Sequence, residues 1–429
     1  MAPKPKEEAA RPSMTDFRVA QIVRKRMRTT RKEVEEATYL DPEKAVKRLI
    51  ASGIVESHRP GVRARISRAG APPQLLTLGR NLGYMIGVDI GHRAVSVSIT
   101  RAEFHSVLDE PFCEEVPYLD DNPKLAFDAA AKLVREAIAA AQERDGLRAE
   151  EVIGIGVGVP APINRTSQKV ESEMHILSAW SEYKPAEEIH SRLADLLPNV
   201  AVEVDNDASL GALGIYSWGL LNADVPTDVA RDLIYVRVGD GIGAGVVVKG
   251  KLVGGGSGYA GEIGHVKVDE RGRFCPRCGQ RGCVETKASD RAVLEEVAPT
   301  AFAARPDEVS IEEAVEATHP ACFRALQEAG WYLGVALAHA RTLLDPTRII
   351  LGGPLAGSSY YHAGVVAGMV SNSINLKVRG RDVVSPAPVE LRERRPDLGS
   401  PEMLGAIAIA VHRCGDTHIR RKLGIDTPA

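Results

Sequence analysis

The sequence predicts an α/β protein, with a duplicated two-lobed body behind a small basic head. Three observations predict it. Strands and helices alternate from Tyr84 onward, which is the pattern of layered α/β architecture. Two strand–glycine turn–strand units stand far apart, at residues 84–100 and 233–248, and suggest one unit used twice. Charge is lopsided: residues 1–80 carry 18 Lys and Arg against 9 Asp and Glu, while the remainder carries 36 against 48. A basic head on an acidic body points to a polyanion at one end only, the alternative being a solvated basic face.

A chain of 429 residues exceeds one ordinary core, so two or three domains are expected. The apolar stretches are broken well short of the roughly 20 residues that span a bilayer, so no membrane partner is expected. The first residues hold no apolar run of the secretory type. Cys113, Cys322 and Cys414 lie too far apart in sequence to suggest a disulfide framework, and a cytoplasmic setting is expected.

In the head, residues 1–13 are expected to form a disordered tail. Residues 16–29 place Val19, Ile22, Val23 and Met27 on one helical face. Thr29 and Thr30 offer an N-cap to a second helix, Arg31 to Ala37. Asp41 can cap a third, with Pro42 in its first turn and Ala45, Val46, Leu49 and Ile50 inward. Ile54 to Glu56 reads as a strand and Arg63 to Ile66 as its partner, joined by the tip S-H-R-P-G-V. Three short helices and a hairpin in this order resemble a winged helix-turn-helix over residues 14–78. That resemblance implies a double-stranded DNA operator as partner, with Lys44, Lys47 and Arg48 of the third helix in the major groove. Arg59, Arg63, Arg65 and Arg68 of the wing would meet phosphates or the minor groove. The alternative is a small interaction domain with a basic surface. Residues 67–80 contain the Gly/Pro-rich connection, with the boundary near Leu78.

In the body, residues 79–429, Tyr84 to Gly91 is a buried strand ending in an acid and a glycine turn, and Val95 to Thr100 returns beside it. Lys124 to Arg144 is an Ala-rich helix. Val152 to Pro160 is a glycine-rich strand, the mark of close approach by another element or a ligand. Ala201 to Asp207 is a strand entering a helix of small residues. Leu233 to Val248 holds two strands around G-D-G-I-G-A-G, and Arg348 to Gly353 is a strand ending on paired glycines.

One short stretch carries His265, Cys275, Cys278 and Cys283. One imidazole and three thiolates suit a closed tetrahedral zinc site that braces a fold and leaves no position for a catalytic water. The C-x-x-C bite and the turning glycines Gly279 and Gly282 support that reading over three unrelated buried cysteines.

Gly261-Glu262-Ile263-Gly264-His265, followed by the cysteine cluster and Glu285, resembles the ROK family (repressors, open reading frames and sugar kinases). The resemblance covers about residues 83–415, with the zinc motif within 261–285. It implies an actin/hexokinase-like, ribonuclease H-like body with a sugar site between two lobes. Asn206 and Asp207 match the family's Asn-Asp pair, Asp207 being the group that would take the acceptor hydroxyl's proton in a kinase. Glu262, His265 and Glu285 match residues around the sugar. Without the family context, Asn206 and Asp207 are equally a helix N-cap. This chain has two residues between its first two cysteines where the family pattern usually has one.

The phosphate turns decide between a sensor and a kinase. Kinases of the family carry D-x-G-G-T-K/R-like residues in the first turn; here Asp89-Ile90-Gly91 is followed by His92-Arg93-Ala94. The second turn places Asp240 where a hydroxyl would donate to phosphate, and a carboxylate repels that charge. These turns argue against ATP and Mg²⁺ as cofactors. The retained Asp89 and Asp207 keep an ATP-dependent sugar kinase as the alternative. The favoured reading is a cytoplasmic, sugar-responsive regulator of transcription, a repressor acting as a homodimer or homotetramer. The segments 323–344 and 364–374 are candidates for interlobe or subunit packing.

Overall fold

A capping box opens the first helix: Ser13 accepts from the Asp16 amide, and the Asp16 carboxylate accepts from the Ser13 amide at 2.6 Å. The computed structural model describes residues 12–58, 74–117, 121–164, 166–170, 175–221, 231–305, 308–373, 377–378, 381–382, 389–391 and 399–425. Most of the expected tail, and Arg59, Arg63, Arg65 and Arg68 with the expected strand at 63–66, lie outside the described residues.

Helix α1 (Met14–Arg26) stops three residues before the expected end, because Met27 turns to φ 58° and Arg28–Thr30 forms strand β1 instead. A second capping box, Thr30 with Glu33, starts α2 (Arg31–Thr38). The Glu43 amide donates to the Asp41 carboxylate at 2.9 Å at the start of α3 (Glu43–Ala51). Strand β2 (Val55–His58) follows. Its described partner is β3 (Leu75–Leu78), a segment that sequence reasoning treated as connection. β3 also pairs with β1, giving a three-stranded antiparallel sheet ordered β1-β3-β2. The alternation was legible in Leu76 and Leu78, both buried, but the prolines and glycines before them masked it.

The first lobe contains β4 (Tyr84–Ile90), β5 (Ala94–Arg101), β6 (Phe112–Glu115), α4 (Pro123–Asp145), β7 (Val152–Val159), α5 (Pro185–Leu193), β8 (Val202–Asn206) and α6 (Asp207–Leu221). The second contains β9 (Leu233–Val238), β10 (Ile242–Val248), β11 (Lys251–Leu252), α7 (Glu285–Ala288), α8 (Asp290–Ala301), α9 (Ile311–Glu316), α10 (Pro320–Leu344), β12 (Arg348–Gly352) and α11 (Ser359–Asn372). A two-residue ribbon, β13 (Lys377–Val378) with β14 (Arg381–Asp382), precedes β15 (Val389–Leu391).

The sheets are ordered β6-β5-β4-β7-β8 and β11-β10-β9-β12-β15. In each, the central strand is antiparallel to the next strand in the chain and parallel to the one on its other side. The duplication expected from the two glycine-turn units is therefore a duplication of topology.

After β15 one long rod packs on the first lobe's sheet and α6, its first turn reaching β9. Helix α12 (Pro401–Ile409) passes through a π-helical turn at Ala410–Cys414 into α13 (Gly415–Lys422). Every residue of α12 is buried. It lies so close to β7 that a Cβ on Gly156 would sit 1.8 Å from the Ala406 carbonyl oxygen, and so close to α6 that one on Gly405 would sit 1.8 Å from that of Leu210. The glycine run in β7 thus answers to packed elements, Gly156 to α12, Gly154 to Cys414 of the π-helical turn and Gly158 to Leu210 of α6.

Separate apolar cores fill the outer side of each lobe. A further core joins the head to the body, with Phe17, Val23 and Leu76 continuous with Met403, Ile407 and Ile419. No helix among the described residues is long and apolar enough to cross a membrane.

Candidate functional site

The loop after β11 folds into a small knuckle held by two isolated bridges, Lys267 with Cys283 and Phe274 with Arg281. The Cys275 amide donates to the Gln280 carbonyl at 2.7 Å and the Gly279 amide to the Cys275 carbonyl at 2.9 Å, so both ends of the C-x-x-C loop are fixed. Gly282 takes φ 77°, and a Cβ there would meet the Asp269 carbonyl oxygen at 1.5 Å; this return requires glycine.

The knuckle gathers the four residues expected as ligands. His265 Nδ1 lies 3.8 Å from Cys275 Sγ, Cys278 Sγ lies 3.4 Å from Cys283 Sγ, and all four donor atoms fall within 4.8 Å of one another. A tetrahedral site with metal–sulfur bonds of about 2.3 Å has donor–donor edges of about 3.8 Å, so the set fits such an ion. Burial pushes the Cys275 and Cys283 thiols up, as expected for sulfurs that need a cation beside them to ionise.

The knuckle also aims acids at the lobe boundary. His265 turns its other nitrogen, Nε2, to within 3.8 Å of the Glu262 carboxylate. Burial raises Glu262 to about 7, with the Asp207 and Glu285 charges near enough to add to the shift. Glu285, at the start of α7, accepts from the Ile242 amide at 3.0 Å and pairs with Arg277 at 3.0 Å. Arg277 lies between the first two cysteines, in the loop that is one residue longer than the usual pattern. That loop supplies a guanidinium beside Glu285 and above Gly241, where a Cβ would lie 3.2 Å from the Arg277 side chain.

Asn206 and Asp207 stand where β8 turns into α6. The Ser209 amide donates to Asn206 Oδ1 at 3.1 Å, so Asn206 does cap the helix. The Asn206 side-chain amide reaches the Ala161 carbonyl at 3.4 Å and Asp207 at 3.1 Å. The capping role and a place beside the other site acids coexist.

Sequence reasoning missed the hub beneath this site. Arg237 of β9 pairs with Asp207 at 3.4 Å and with Glu402 of α12 at 3.6 Å. The Tyr235 hydroxyl donates to Glu402 at 2.6 Å, and the Ser400 hydroxyl donates to Asp89 at 3.3 Å. Burial raises Asp89 to about 7, helped by the charge of Glu402. One guanidinium of the second lobe thus serves an acid of the first lobe and an acid of the C-terminal rod. Positions 207, 237 and 402 are too far apart in sequence for any local pattern to reveal this.

A cleft of about 1050 Å³ opens beside the hub, lined by both glycine turns and by α8 and α9. Arg93 of the first turn meets Asp240 of the second at 3.2 Å, so it is partnered within the chain. Burial raises Asp290 to about 7, with Asp240 adding to the shift. Phosphoryl transfer depends on donors and cations aimed at phosphate oxygens. Here the Asp240 carboxylate and His92 occupy those turns, and the carboxyls of Asp89 and Asp290 crowd the same cleft.

In the head, Lys44 is exposed, and Lys47 is exposed and pairs with Glu43 at 2.7 Å. Arg48 instead turns back, its Nε and Nη2 donating to Asp16 at 3.0 and 3.1 Å. Asp16 is only 1 % exposed, so Arg48 fastens α3 to α1.

Two five-stranded sheets of matching order, around a cleft edged by acids and a cysteine knuckle, define an actin/hexokinase-like protein of two lobes. Residues 85–410 match the ROK family, and the chain belongs to it. It is 30% identical over 320 residues to the xylose repressor of Bacillus spizizenii (strain ATCC 23059 / NRRL B-14472 / W23), covering 73% of each chain. A glucokinase of Streptomyces coelicolor (strain ATCC BAA-471 / A3(2) / M145) is 28% identical over 292 residues, covering 64% of this chain and 83% of its own. A ROK family transcriptional regulator, described as a homologue of the E. coli MLC protein, superposes on 96% of this chain and 99% of its own with a TM-score of 0.69 at 20% identity.

Proposed function

We propose that this protein is a sugar-responsive transcriptional repressor of the ROK family. The observation that carries the reading is the joining of a compact basic head to a ROK body related to a xylose repressor. The head, residues 14–78, acts as a winged helix-turn-helix on an operator in double-stranded DNA. Lys44 and Lys47 are the exposed cations of α3, Lys47 pairing with Glu43 on the same helix, and Arg59, Arg63 and Arg65 are the cations proposed for the wing. Paired half-sites call for paired heads, so the working unit is a homodimer or homotetramer, and its setting is the cytoplasm.

Residues 79–429 hold the sugar. Asn206, Asp207, Glu262, His265 and Glu285 satisfy its hydroxyls, each of which both donates and accepts. His265, Cys275, Cys278 and Cys283 hold a structural zinc ion that fixes the Glu262–Glu285 wall. An ion in that set supplies a rigid crosslink, and its ligands leave no open position. Sugar acts by binding one arrangement of lobes and head better than another.

A second reading is an ATP-dependent sugar kinase. The retained Asp89 and Asp207, the open cleft and the glucokinase relative favour it. Against it stand His92, Asp240 and the pairing of Asp207 with Arg237.

Mobility shift on the DNA flanking the gene, with D-xylose, D-glucose and N-acetyl-D-glucosamine added in turn, separates the readings. A repressor shows salt-sensitive binding that one sugar changes. A kinase shows ATP consumption with one of these sugars, lost in Asp207→Asn.

A further inference from the structure

The π-helical turn at Ala410–Cys414 is the one irregular point in the C-terminal rod, and the head reaches into it. Such a turn displaces backbone carbonyls from the i→i−4 ladder and leaves them open to other donors. Arg24, from the last turn of α1, fills that role. Its Nη1 donates to the Val411 carbonyl at 3.1 Å and to the His412 carbonyl, and its Nε to Asp416 at 2.8 Å. Gln21 donates to the other Asp416 oxygen at 2.7 Å. The Arg24 side chain is 5 % exposed, and it passes over Gly415, where a Cβ would lie 2.6 Å from its Cδ.

Both ends of this connection lead somewhere. On the head side, α1 holds α3 through the two Asp16–Arg48 bonds. On the body side, Glu402 lies in the first turn of the same rod and meets Arg237, which meets Asp207. From Pro401 to Lys422 the rod spans about 33 Å at helical rise. Removing the one-residue excess of the π turn would rotate α13 against α12 by about 100°.

We infer that Arg24 is the positioning residue that couples the body to the head: it clamps the π turn, and through that clamp the sugar-facing acids set the placement of the DNA-binding helices. This rests on the repressor reading, but the clamp can be tested apart from it. Coupling of this kind requires an element with two arrangements, and a rod that keeps or loses its one π turn would supply them.

The test uses the full chain and three variants: Arg24→Gln, Arg24→Lys and Asp416→Asn. Operator affinity is measured with and without whichever of D-xylose, D-glucose and N-acetyl-D-glucosamine raises the melting temperature. Amide hydrogen exchange of residues 14–26 is followed under the same conditions. The unmodified chain should change operator affinity at least tenfold with sugar. Arg24→Gln should bind sugar within twofold of it yet change operator affinity less than threefold, with Arg24→Lys intermediate. A purely structural Arg24 would lower melting temperature and operator affinity while leaving the sugar-induced ratio intact, and that result overturns the inference.

Asp416→Asn keeps the carbonyl bonds and should retain part of the response even if Arg24→Gln fails to fold. A full loss in Asp416→Asn alone would contradict the carbonyl clamp. If no variant binds DNA but sugar alters α1 exchange only where Arg24 is present, the coupling stands and the repressor reading falls. Absence of any sugar effect on α1 exchange sinks the coupling itself.

Discussion

At the residue scale, the chemistry divides into what neighbours in sequence reveal and what only the fold assembles. The Cys₃His set was legible because three cysteines fall within nine residues and glycines permit the return. Arg237, Glu402 and Arg277 were not, because each takes its meaning from a partner that sequence does not bring near. The head makes the same point through its basic residues, since spacing alone gives Lys44 and Arg48 the same role. Asp16, buried and bonded twice by Arg48, separates them. Lys44→Ala should weaken operator binding evenly across sequences and reduce the slope of log affinity against log salt by about 1, while leaving the melting temperature unchanged. Arg48→Ala should lower the melting temperature first, because it takes two charge-assisted hydrogen bonds from a buried carboxylate that then keeps its Ser13 donors, at a cost of about 2 kcal/mol. Equal melting temperatures for the two variants would contradict the division. Cys283→Ser should release the ion and weaken sugar binding at least tenfold, read by metal analysis and calorimetry; unchanged sugar affinity after metal loss would remove the bracing role.

Among the elements, helices and strands with strong apolar periodicity fell where the sequence put them, as with β4, α4 and α10. β3 did not, because its four residues follow a run of Gly and Pro whose turn signals dominate locally. The π turn has no sequence signature, since A-V-H-R-C is unremarkable in an α-helix and the arginine that bonds its carbonyls comes from the head. The same rod carries a pH-sensitive contact with the head–body junction. His418 Nε2 donates to the Leu82 carbonyl at 2.8 Å, and burial lowers its pKa to about 4. The folded imidazole stays neutral while the unfolded one takes a proton near its ordinary 6.5. The stability is therefore complete above pH 6.5 and is lost as pH falls toward 4, reaching about 2 kcal/mol at pH 5 for this residue alone. His418→Gln, which keeps a donor but does not titrate, should flatten the fall in melting temperature between pH 7 and 5. A slope equal to that of the unmodified chain would show that His418 is not its source.

On the scale of the whole molecule, the head is not a module on a tether. Its core runs into α12 and α13, which pack against the first lobe, and the first turn of α12 touches the acid hub through Glu402. The lopsided charge and the duplicated strand units had announced a head and a two-lobed body. They gave no sign of a shared core, because the rod that joins the two comes from the opposite end of the chain. A body in which sugar site, hub and head share one rod should link sugar and operator thermodynamically, and such linkage is reciprocal. The direct measurement is the sugar's dissociation constant by calorimetry on the full chain, alone and saturated with operator DNA. The account predicts that operator weakens sugar binding at least tenfold, by the factor with which sugar weakens operator binding. Equal sugar affinity with and without operator would contradict it.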